Sequence, residues 1–168
     1  MWARVLSKLK SRKSQRGAAA LEFALVVPVL MALVCGMMDF AMVFNGQAVV
    51  TNGARDGVRA ASLGKTFAGT GTVISNETSA LINPSAVSWS VCTAATVDAA
   101  AAAWKCSSGT PSNPNSSDTV YEHARADDWI VRVTVSYRYA WLTPLPTWIG
   151  QGTATTITQI SYMRIENF

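Results

Sequence analysis

Residues Arg16 to Met38 read R-G-A-A-A-L-E-F-A-L-V-V-P-V-L-M-A-L-V-C-G-M-M, an apolar run long enough to cross a bilayer. The hydrocarbon core of a membrane takes about 20 apolar residues in helical form. Helix is the local structure that satisfies all of its own backbone N–H and C=O groups there. The run therefore fixes one long helix before anything else in the chain is considered. Its single acid is Glu22, and a carboxylate at the centre of a membrane helix costs roughly 2.5–3.5 kcal/mol on insertion scales, so its presence asks for a purpose. Pro28 removes one hydrogen bond, which membrane helices tolerate. A cleaved secretory signal has an apolar stretch of about 7–15 residues ending in a small-residue cut. This stretch is longer and runs on into helical sequence without an A-x-A end.

Charge separates the chain into two parts. The formal net charge is +4, with 14 basic and 10 acidic residues. Arg4, Lys8, Lys10, Arg12, Lys13 and Arg16 all precede Gly17, and no acid does. The rest of the chain is thus slightly acidic, and the basic excess is no nucleic-acid surface. It reads as positive-inside retention, with the amino terminus cytoplasmic and the remainder translocated. With 168 residues, 49% of them apolar and 14% charged, there is room for one membrane helix and one small domain. The boundaries expected are a basic leader over 1–17, a transmembrane helix over 18–44 and an exported head over 45–168, whose first part, 45–63, continues the helix.

In that continuation Val50, Gly53, Ala54, Gly57, Val58 and Ala61 recur on one helical face. Arg55, Asp56 and Arg59 fall beside and behind it, and Gly64 stops the helix. Gly53 and Gly57 form a G-x-x-x-G pair, read as close packing on a sheet in preference to helix dimerisation. Asp39 is placed near the outer interface, as a boundary residue or a pairing group. Lys65–Gly71 reads as a loop and Thr72–Ile82 as a short helix ended by Asn83-Pro84. Ala86–Thr93 alternates as a strand with Val87, Trp89 and Val91 on one face. Asp98 can cap a short helix over Ala99–Trp104, and Ser107–Thr119 is a loop by composition. Trp129–Tyr139 is the clearest strand, Leu142–Gly152 a turn, and Ala154–Ile165 a last strand. A long amphipathic helix on a small antiparallel sheet, an α+β pilin-like arrangement, is the economical way to bury these faces.

Three blocks carry a resemblance. Arg16-Gly17-Ala18-Ala19-Ala20-Leu21-Glu22-Phe23-Ala24-Leu25 with Pro28, then Asp39-Phe40, then Asn52-Gly53-Ala54-Arg55-Asp56-Gly57-Val58-Arg59-Ala60-Ala61 resemble the TadE-like family, pseudopilins or minor pilins of tight-adherence (Flp-type) pili. A weaker match is Ile160-Ser161-Tyr162-Met163-Arg164-Ile165-Glu166. The specific part spans about Arg16–Ala61, and the head is similar only in style. The resemblance implies a prepilin-peptidase substrate that works in pilus assembly for surface adhesion. It implies as partners that peptidase, other pilin or pseudopilin subunits and an inner-membrane assembly platform. The alternative is an uncleaved single-pass anchor that presents a periplasmic binding domain.

The chemistry fits such a substrate. Gly17 allows close backbone approach at a cut between Gly17 and Ala18. The cut exposes an ammonium on Ala18, and Glu22 lies one helical turn further on. In a bundle of subunits Glu22 can neutralise a neighbour's amino terminus, with the attraction strengthened in low dielectric, and Phe23 can pack on adjacent helices.

No catalytic constellation, metal site or cofactor site is expected. His123, the single histidine, lies beside Glu122 with Asp127 and Asp128 nearby, but forms no triad pattern. Asp118, Glu122, Asp127 and Asp128 lack the spacing of an EF-hand. Cys92 and Cys106 fall in the exported part, where the compartment is oxidising, and their spacing predicts a disulfide. Cys35, inside the apolar helix, is expected to stay free.

Overall fold

The computed structural model describes residues 3–99, 103–113 and 130–165. Trp129, the acids from Asp118 to Asp128, His123 and the middle of the expected Ala99–Trp104 helix lie outside them. Helix α1 runs unbroken over Ala3–Ser62, passing through Pro28. Gly64, with φ of 99°, ends it, as a left-handed position favours a residue without a Cβ. The Lys65 N–H returns to the Ala60 carbonyl at 3.1 Å.

Helix α2, Phe67–Glu77, begins earlier than its composition suggests, because the Thr66 side chain caps it by accepting from the Gly69 N–H. The Gly/Thr segment expected as a loop is therefore mostly helix. A cap satisfies a donor that would otherwise be orphaned, which offsets the poor helix propensity of two glycines. Short 3₁₀ turns at Thr78–Ala80 and Pro84–Ala86 lead into the sheet.

The sheet has four strands among the described residues: β1 Val87–Ala94, β2 Lys105–Gly109, β3 Ile130–Ala140 and β4 Ala154–Arg164, in spatial order β2-β1-β3-β4. All neighbours are antiparallel. Strand β2 corrects the sequence reading, which placed Ser107–Gly109 in an exposed loop. It holds no large apolar residue, and pairing with β1 (Trp89 opposite Gly109, Cys92 opposite Cys106) holds it in place. The expected turn after β3 contains a helical turn, Leu145–Trp148.

The sheet has one dry face. Val87, Trp89 and Val91 on β1 and Val131, Val133, Val135, Tyr137 and Tyr139 on β3 are buried, while the residues between them on β3 are half-buried or exposed. The second half of α1 lies across this face. Val50, Ala54, Val58 and Ala61 join the same core with Phe67 and Ile74 of α2. Trp89 reaches under α2: a Cβ on Gly71 would stand 2.7 Å from its ring. The fold is thus a long helix packed through half its length on a small antiparallel sheet, as the alternation of apolar residues required.

Candidate functional site

Helix α1 changes character at Asp39. From Gly17 to Met38 no residue is buried, and from Asp39 onward the buried positions begin. Leu21, Phe23, Leu25, Val29 and Leu30 are all more than half exposed, with Phe23 at 71%. Such a continuous apolar surface does not persist in water, and this stretch fits a membrane anchor. Gly17 has nothing within 4 Å of the position its Cβ would take. Ala18, Glu22 and Phe23 lie on the same bare stretch. The fold leaves Gly17–Phe23 accessible and brings no part of the head among the described residues onto it.

The junction between bare helix and head is built on Asp39, only 3% exposed. Its carboxylate accepts hydrogen bonds from the Tyr139 hydroxyl at 3.2 Å and the Leu142 backbone N–H at 3.0 Å, and from the Thr143 hydroxyl. Three donors make burial of a carboxylate tolerable, because bonds to a charged acceptor replace its water. Tyr139 answers in kind. Burial, then its bond to Asp39 and that group's negative charge, push its pKa up to about 12. The Tyr139 ring also meets Trp141 edge-on, with centroids 5.6 Å apart. The sequence pointed to Asp39 as an acid near the outer interface and as part of the Asp39-Phe40 resemblance, without naming its partners. Its partners come from the far end of β3, which no local signal connects to it. The neighbouring Phe40 points outward, 65% exposed.

At the other end of the packed half, Arg55, Asp56 and Arg59 are exposed, while Gly53, Ala54, Gly57 and Val58 are buried. The G-x-x-x-G pair meets α2 more than the sheet, which corrects the expectation. A Cβ on Gly57 would stand 2.7 Å from Cγ1 of Ile74 and 3.3 Å from Val133, and one on Gly53 would stand 3.1 Å from Thr78. The glycines let α2 and its following turn sit directly on α1.

The outer face of the sheet carries the cysteines. Cys92 and Cys106 stand opposite each other across β1 and β2 with their sulfurs 2.13 Å apart, at disulfide distance. Cys35 is free. The Arg132 guanidinium lies beside both sulfurs and 4.2 Å from the centroid of the Trp104 ring, and Trp104 meets Tyr162 edge-on. Sequence reading missed this layer, because Trp104 and Tyr162 belong to separate segments that only strand pairing brings together. Among the described residues no group of three or more His, Cys, Asp or Glu could hold a metal ion.

These features can be set beside known proteins. Residues 17–59 match the TadE-like protein family. The match begins at the exposed Gly17, crosses the bare half of α1 and the Asp39 junction, and ends at Arg59, so it covers the helix and leaves the sheet aside. TadE-like proteins are associated with Tad pili, and the family is structural in kind. No curated protein and no solved structure matches the chain.

Proposed function

We propose that this chain is a pseudopilin or minor pilin of a tight-adherence pilus, cut by prepilin peptidase between Gly17 and Ala18 and held in the inner membrane by residues 18–44 with its head in the periplasm. The observation that carries the reading is the bare half of α1. It presents Gly17, Glu22 and Phe23 unobstructed on a membrane-length apolar helix, within the stretch that matches the TadE-like family. A subunit that must first meet a peptidase and later other helices needs this surface free. After the cut, Ala18 carries the ammonium and Glu22 stands one turn away. The Glu22 carboxylate of one subunit then neutralises the amino terminus of the next and sets their axial register. Arg55, Asp56 and Arg59, outward on the packed half, are available to the same neighbours or to the assembly platform.

The test is the mass of the mature amino terminus. Protein from a host with an active prepilin peptidase is expected to start at Ala18. An intact Met1–Phe168 chain from that host would instead support the uncleaved anchor. Glu22→Ala is expected to be processed normally and to reduce incorporation into pili; normal piliation of that variant would remove Glu22 from the assembly mechanism.

A further inference from the structure

The connection between β3 and β4 folds back along α1 toward its bare half. Asp39 holds its beginning through Leu142 and Thr143. Beyond that anchor, Leu145, Trp148 and Ile149 of the connection and Gly36 and Phe40 of α1 surround an apolar cavity of about 430 Å³, with Trp141 at its inner wall. The rim is apolar and uncovered. Trp148 is 77% exposed and Ile149 79%; Leu142, at the start of the connection and outside the cavity lining, is 55% exposed. No Asp, Glu, Lys or Arg occurs between Arg138 and Arg164, so the whole connection is free of charged side chains.

Its level along the helix says what covers it. A hydrocarbon core of about 30 Å takes about 20 helical residues at 1.5 Å each. Counted from Ala18, the first residue after the basic leader, that core ends close to Met37. The connection therefore meets α1 at the head-side edge of the core. Phe40 and Phe44, 65% and 66% exposed, continue the apolar surface of the span past the same level. At that depth a tryptophan ring finds apolar and hydrated surroundings together and is favoured, and isoleucine gains by leaving water.

We propose that the β3–β4 connection is a second membrane contact, in which Trp148 and Ile149 enter the head-side leaflet beside Phe40. The partner is the lipid itself. With no charged side chain on the connection, the contact is apolar and insensitive to salt. The Asp39 cluster then couples the two contacts: it fixes the connection to the spanning helix and so sets the head's tilt on the bilayer. The inference rests on the reading of α1 as a membrane span and is independent of any role in a pilus.

Nitroxide accessibility in the full chain tests it. Cys35→Ala removes the free thiol, and Cys92 and Cys106 are withheld from labelling as a disulfide. Single cysteines are then placed by Ile149→Cys, by Trp148→Cys as a second site on the connection, by Leu30→Cys within the bare helix, and by Leu63→Cys. Leu63 lies about 35 Å beyond Asp39 at 1.5 Å per residue. The protein is placed one copy per nanodisc of phosphatidylcholine and phosphatidylglycerol. Relaxation by oxygen, which concentrates in lipid, is compared with relaxation by a water-soluble nickel chelate. The labels at 149 and 148 are expected to resemble that at 30, with an oxygen-to-nickel ratio several-fold above that at 63, unchanged between low and high salt. A ratio at 149 and 148 equal to that at 63, with 30 in lipid, overturns the second contact and leaves the span intact. Protection of 149 and 148 from both reagents places protein over the loop and overturns it as well. Water access at 30 would overturn the span and the proposal together.

Discussion

The two halves of helix α1 are one continuous element with opposite surroundings. Between Gly17 and Met38 its side chains are mostly large and apolar and none is buried; between Asp39 and Ser62 the inward positions are mostly small and buried. Leucine, methionine and phenylalanine suit lipid or the side of another helix. Glycine and alanine at Gly53, Ala54, Gly57 and Ala61 suit a rigid partner already in the chain, because they let α2 and the sheet approach the backbone. The bare half carries one acid, and the packed half carries Asp39 and the exposed Asp56. Glu22 lies in the open, and Asp39 is enclosed by three donors. One half is finished by the fold and the other waits for its surroundings.

Two aromatic truncations separate the halves most strongly. Trp89→Ala empties a buried site beneath α2 and is expected to cost about 3–5 kcal/mol of head stability. Phe23→Ala on the bare half should leave the head's unfolding midpoint unchanged. Denaturant unfolding of both variants in detergent micelles, followed by near-UV circular dichroism, checks this. Equal losses would mean that the bare half belongs to the folded core.

The second effect concerns the outer face alone. Cys92 and Cys106 are 14 residues apart, and closing a loop of that size contributes about 3 kcal/mol in the chain-entropy model. Cys92→Ala with Cys106→Ala should lower head stability by that order, and a non-reducing peptide map of the parent should show the linked peptides. Free thiols at both positions, or a linkage to Cys35, would contradict the pairing.

The two acids give a smaller contrast. Asp39→Ala strands the buried Tyr139 hydroxyl, at about 1–3 kcal/mol for a group left unsatisfied, and frees the partly buried Leu142 N–H. Glu22→Ala should cost the head nothing. If thermal unfolding in micelles shows Asp39→Ala unchanged, the junction does not hold the head to the helix.

The finest effect is at alkaline pH. Burial first, and then the bond to Asp39 and its charge, raise Tyr139 to about 12, above the ordinary value near 10 that it takes when unfolded. The folded state thus holds its proton more tightly. The stability gained is full below about pH 10 and is lost as pH rises through about 12. Tyr139→Phe should show a shallower decline across that window than the parent. Parallel curves would mean that Tyr139 titrates alike in both states.

Much of the helix was legible because its signals are local. The apolar run, the glycine stop at Gly64 and the inward face from Val50 to Ala61 each follow from neighbours a few residues away. The alternation in β3 and in the first half of β1 was legible for the same reason, as buried and less buried residues take turns there, whereas β4 has no buried residue. Strand β2 was not, because Lys105-Cys106-Ser107-Ser108-Gly109 has no apolar alternation and is a strand by virtue of pairing with β1. The start of α2 was missed because one capping threonine outweighed a composition suited to a loop.

The sequence by itself determined that a long helix would carry a membrane-length apolar half, a lone carboxylate near its start and a small-residue face further along. Those properties depend on residue type and on a period of 3.6, which the chain displays wherever it folds. Only the tertiary structure decided that Asp39 would be enclosed by Tyr139, Leu142 and Thr143, that Gly57 would seat Ile74, and that Arg132 would lie between the Trp104 ring and the cysteine pair. Each of these joins segments far apart in sequence. A buried polar group or a missing Cβ states only that some partner is required, and the partner is chosen when helix and sheet close on each other and exclude water.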